Sequence, residues 1–154
     1  MKIITSENHR HLQAEIENLI HNFNETGDML VDGKRNKLKL FELKGIKVNV
    51  KSFKIPNAVN KIAYRFVRKS KAERSFKYAE YLLSKKVGTP QPIAYVEETT
   101  AFSFLRSFYL SEQLSYDLTY REFHLNKYGN EAILRAFIRF IFELHENEID
   151  FWDN

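Results

Sequence analysis

The residues best placed to do chemistry lie in the run Gly45-Ile46-Lys47-Val48-Asn49-Val50-Lys51-Ser52-Phe53-Lys54. Ile46, Val48 and Val50 alternate with Lys47, Asn49 and Lys51, the period of a half-buried strand. An ammonium held at the far end of such a strand can grip phosphoryl oxygens, as Lys51 would here; a strand ending in lysine also describes a plain solvated edge. Upstream, Gly33-Lys34-Arg35-Asn36 combines a glycine, which lets backbone approach a ligand closely, with two cations that supply charge. It has one glycine rather than a Gly-x-Gly-x-x-Gly series, and it equally describes an ordinary hairpin turn. Between residues 61 and 77 stand Lys61, Arg65, Arg68, Lys69, Lys71, Arg74 and Lys77 against Glu73 alone. This segment carries +6 and leaves about −2 for the rest of a chain whose net charge is +4. Such a patch suits phosphates, anionic lipid or nucleic acid, or forms a solvated helical face. His9 and His11 are two apart, do not share a helix face, and make a poor metal pair.

The elements that must position these residues follow from periodicity. Leu12, Ile16, Leu19, Ile20 and Phe23 trace a helical stripe over about 6–22, closed by Thr26-Gly27-Asp28. Met29-Leu30-Val31 is a short strand, Leu38 to Leu43 the next, and Lys44-Gly45 a tight connection into the Lys51 strand. A basic amphipathic stretch with Ile62, Ala63, Phe66 and Val67 leads into a helix over about 71–85, whose inner face uses Ala72, Phe76, Ala79, Leu82 and Leu83. Gly88, Pro90 and Pro92 end it. Two more strands follow, 93–96 and 101–110, before residues 111–114 leave the sheet. A short helix is expected over 115–123 and a broad apolar helix over about 130–145. The resulting order is three antiparallel strands, one inserted helix, two strands, then helices.

At 154 residues, 44% hydrophobic and 14% aromatic, the chain can bury a real core and is not expected to be disordered. It has no cysteine, which removes disulfides and thiolate metal sites and suits a reducing compartment. The opening residues are too poor in apolar side chains for a signal peptide. Arg135, Arg139 and Glu143 interrupt the most apolar helix, so no membrane span is expected. The chain is read as soluble and cytoplasmic.

Several segments together resemble the lipopolysaccharide kinase family of Kdo/WaaP type, a branch of the protein-kinase-like fold. They are Gly33 to Asn36, Val48 to Lys54, Ala63-Tyr64-Arg65-Phe66, Arg68 to Ser75, Gly88 to Tyr95, Leu105-Arg106-Ser107 and Leu144-His145-Glu146. The resemblance implies an α+β fold: a kinase-like N-lobe over 28–114, with a five-stranded antiparallel sheet and one inserted helix. An N-terminal helical extension over 1–27 would precede it, and a partial C-lobe over 115–154 would follow. It implies that Lys51 holds nucleotide phosphates, with Gly33, Lys34 and Arg35 folding over them. Glu73 on the inserted helix would pair with Lys51, although counting back from Pro90 puts that position nearer Ser75, and Glu80 is the next candidate. Glu112 to Leu114 would form the hinge whose backbone meets adenine, and Asp153 would be the base accepting the acceptor proton.

The same resemblance implies ATP and magnesium as cofactors of the full-length family. Its reaction is phosphoryl transfer to a Kdo or heptose hydroxyl of a lipopolysaccharide precursor. The basic 61–77 segment would meet that lipid A-Kdo acceptor or the inner face of the membrane. The pattern departs after Asp153: the metal-binding Asn expected five residues later and the second Asp have no counterpart before Asn154. The chain therefore reads as truncated, with no metal ligands, and is expected to be inactive alone. The other reading is a non-catalytic kinase-like binding module. RNA binding through Tyr64 and Phe66 is not expected, since no RNA-binding aromatic motif is present. Self-association is expected from the apolar 130–146 helix.

Overall fold

A computed structural model describes residues 1–33, 36–53, 69–116, 122, 131–147 and 149. In chain order the elements are β1 (Lys2–Thr5), a 3-10 turn (Glu7–Leu12), α1 (Gln13–His21), β2 (Asp28–Asp32), β3 (Asn36–Leu43), β4 (Ile46–Phe53), α2 (Lys71–Ser84), β5 (Pro92–Thr99), β6 (Phe104–Glu112) and α3 (Glu131–Glu146). The six strands form one antiparallel sheet in the order β1-β5-β6-β4-β3-β2. The expected series of three strands, one helix and two strands is present as β2, β3, β4, α2, β5 and β6.

Two expectations need correction. The sheet has six strands rather than five, because Lys2 to Thr5 pair with Glu97 to Ala94 at the β5 edge. The 6–22 helix is a 3-10 turn followed by a nine-residue α-helix. At its start the Ser6 hydroxyl lies 2.8 Å from His9 Nδ1, three residues on. Residues 117–121 and 123 of the expected 115–123 helix, the basic 57–68 stretch, Lys34, Arg35 and Asp153 lie outside the described residues.

Period-two alternation gives the sheet two distinct faces. Val48, Val50, Phe108, Leu110, Ala94 and Val96 turn to one side, where they bury Leu12, Ile16, Ile20 and Phe23 from the N-terminal helical segment. Lys39 also lies on this face and is only 6% exposed. Its ammonium donates to the carbonyls of Phe23 (2.7 Å), Asn24 (3.3 Å) and Thr26 (2.7 Å). A buried cation is thus satisfied by the carbonyls just past the α1 C-terminus, the end of a helix that favours positive charge. The hairpin from β3 to β4 turns on Lys44 (φ 47°) and Gly45 (φ 82°). Positive φ at both central residues is the signature of the type I′ turn that matches strand twist.

On the opposite face, α2 packs over β5 and β6. Ala72 and Phe76 meet Phe53, Tyr95 and Tyr109 in a second, smaller cluster. The helix starts at Ser70, whose hydroxyl accepts from the Glu73 amide at 3.0 Å, an N-cap of the Ser-x-x-Glu type.

Candidate functional site

Lys51 sits on the α2 face of β4, opposite Leu38 of β3 and Tyr109 of β6. Tyr95 continues the row on β5. The lysine therefore marks a border. Toward β6 and β5 the face is closed by α2; toward β3 it continues into the half-buried side chains of Leu38 and Leu40. Phe53, two residues further along β4, is already part of the α2 cluster. The Lys51 ammonium lies 5.4 Å from the centre of the Phe53 ring. Among the described residues it makes no ion pair.

Glu73 does not supply that charge. Its carboxylate is 2.8 Å from the Lys77 ammonium, one helical turn on, and this hydrogen bond is the main cause of a raised Lys77 pKa, with a lesser rise from Tyr95 and opposing effects of burial and of the nearby Lys2 charge. Glu73 and Lys77 therefore share the flank of α2 that faces the β1 edge. At about 100° per residue, Ser75 falls near the other flank, toward β6 and β4. Glu73 pairs with Lys77 here, on a helix whose packed face is set by Ala72 and Phe76. Glu80 shares the Glu73 flank by the same spacing and is exposed.

The expected hinge is partly used by the fold. Glu112 still belongs to β6, opposite Val48, and its amide donates to the Gln91 carbonyl at 2.9 Å. Its side chain turns to the α1 face, with its carboxylate 3.5 Å from His9 Nε2. The segment beyond is tied to β4 by the Gln113 amide, which donates to the Lys47 carbonyl at 2.8 Å. Side chains repeat the link: Asn49 Nδ2 donates to Gln113 Oε1 at 2.9 Å, and Gln113 Nε2 donates to the Leu114 carbonyl at 2.9 Å. The sequence reading named the 112–114 stretch without giving Gln113 a role. Asn49 alternates with the apolar residues of its strand, and its Asn-x-Lys spacing is the one signal that puts it on the same face as Lys51.

Gly33 follows β2, and its amide donates to the Asn36 carbonyl at 3.0 Å, closing the β2–β3 hairpin. No group of three or more metal-binding side chains gathers among the described residues. A cavity of about 290 Å³ lies on the other side of the sheet, between α1 and the β3–β4 turn, lined by Glu15, Leu19, Phe41 and Lys44. The sheet itself separates that cavity from the Lys51 row. No helix among the described residues is long and apolar enough to cross a membrane.

No family model matches this chain, and no curated protein matches it. Among solved structures it is similar to one described as WaaP in complex with acyl carrier protein, at 16% identity and a TM-score of 0.48. The match covers 75% of this chain and 42% of that one, so this chain spans less than half of its length. A likeness at that TM-score carries no argument for function.

Proposed function

We propose that the Lys51 face of the sheet binds nucleotide phosphates, as the N-terminal portion of an ATP-dependent kinase that phosphorylates a sugar hydroxyl of a lipopolysaccharide precursor. The observation that carries this reading is the place of Lys51. An ammonium with no carboxylate partner among the described residues stands at the border between an α2-covered half-sheet and an apolar, half-buried strip. It sits on the strand just before the inserted helix of a six-strand sheet. Leu38 and Leu40 offer apolar contact for a base, and Lys51 the charge for its phosphates.

ATP supplies the phosphoryl group in such a reaction. The described residues form no cluster able to hold magnesium, so no step is assigned through the metal. The basic residues at the head of α2, Lys69 and Lys71, are exposed and suit an anionic glycolipid or membrane face. A second reading is a kinase-like module that binds a partner without catalysis. It is favoured by one observation, the engagement of Glu73 with Lys77 rather than Lys51.

Calorimetry of ATP with this chain and with Lys51→Ala, with and without magnesium, tests the proposal. Binding that weakens about tenfold or more in Lys51→Ala is expected, in line with loss of a charge-assisted contact. Equal binding by both proteins would remove Lys51 from the site. No binding by either would favour the partner-binding module.

A further inference from the structure

Among the described residues, a ligand anchored by its phosphates at Lys51 can extend over Leu38 and Leu40 of β3 and back along β4. Phe53 and the α2 cluster close β4 beyond the lysine. Tyr109 and Tyr95, beneath α2, close the way across the sheet. The way back along β4 runs over Asn49, the cross-strand partner of Leu40, two residues and about 7 Å away, toward the 113–114 segment. That direction is spanned by the Gln113 side chain. Both ends of its amide are engaged: Oε1 accepts from Asn49, and Nε2 donates to the Leu114 carbonyl. The Leu114 carbonyl, one of the backbone groups able to read a base edge, already has a donor.

We infer that Gln113 is a specificity-determining residue that admits phosphates to Lys51 but opposes the base of a nucleotide until its amide is displaced. This rests on the phosphate-binding reading of the Lys51 face. A base lying over Asn49 must break the Asn49–Gln113 bond, free the Leu114 carbonyl, or both. Inorganic tripolyphosphate, which stops at the lysine, breaks neither. Removing the Gln113 amide leaves Asn49 half-exposed to water and uncovers the Leu114 carbonyl. It therefore strengthens base-bearing ligands alone.

The test compares ATP and inorganic tripolyphosphate on the wild-type chain, Gln113→Ala, Asn49→Ala and Lys51→Ala. Gln113→Ala is expected to tighten ATP about five- to tenfold, the scale of one net hydrogen bond no longer lost on binding. Tripolyphosphate is expected to bind wild type and Gln113→Ala equally and to weaken in Lys51→Ala. Asn49→Ala, which frees the same amide from its other end, should move ATP in the same direction as Gln113→Ala. In the wild-type chain, ATP but not tripolyphosphate should shift the side-chain amide resonances of Gln113. If tripolyphosphate depends on Lys51 while ATP affinity is unchanged or falls in Gln113→Ala, the gating role is overturned and the phosphate site stands. If neither ligand depends on Lys51, the phosphate-binding reading itself fails, and the gating role falls with it.

Discussion

Tyr109 faces Lys51 across two strands, and burial against α2 pushes its phenol up to about 12, a rise that a hydrogen bond with Ser111 partly opposes. A raised phenol favours the folded state fully below its ordinary value near 10 and loses that contribution as pH climbs through the folded value. The chain is therefore expected to lose stability between about pH 10 and pH 12. Tyr109→Phe should flatten this alkaline limb when urea midpoints are followed against pH. An unchanged slope in the variant would show that other tyrosines carry it. The place of Lys51 on its strand is legible, because alternation is a local signal. The Glu73–Lys77 contact is less legible, because which flank of a helix meets a strand depends on the packing of Ala72 and Phe76. The Asn49–Gln113 bond joins residues far apart in sequence, and no local pattern announces it. Lys39 is a similar case: a lysine in an alternating strand carries no local sign of burial, yet it donates to three carbonyls.

The end of α2 shows how turn signals can mislead by two residues. Gly88 was expected to stop the helix, but the left-handed residue is Lys86, at φ 61°. The Lys86 amide donates to Leu83 and the Val87 amide to Leu82, each at 2.9 Å, which is the Schellman pattern. A residue with a Cβ is strained there, so Lys86→Gly is expected to stabilise the chain by about 1 kcal/mol, or about 2–4 °C in Tm. Thermal denaturation reads this directly, and a lower Tm would mean that the Lys86 side chain contributes more than its backbone costs. The β3–β4 turn was easier to read, since Lys44-Gly45 falls between two alternating runs. The β1 strand was not readable at all. Four residues are too few to establish a period, and its partner lies far along the chain.

Across the whole molecule, the two clusters on either face of the sheet were legible as classes of side chain. Their division between α1 and α2 was not. The α3 helix stands apart from both. Leu134, Ile138 and Phe142 are 47%, 49% and 67% exposed, an unusual load of apolar surface for one helix. The chain is expected to self-associate as its concentration rises, and Ile138→Glu with Phe142→Glu should return it to the monomer in light scattering. Monomeric behaviour of the unmodified chain at high concentration would mean that this face is covered in solution. A different consequence follows from β1. Lys2 meets Glu97, 95 residues away, whereas β2, β3 and β4 pair with their immediate neighbours. During synthesis at roughly 5–20 residues per second, β1 waits about 5–20 s for β5 to exist. The β2–β4 meander, made entirely of local pairings, can form within that interval. The short strand at the sheet's edge is thus made early and placed late, a seal that closes over structure already assembled.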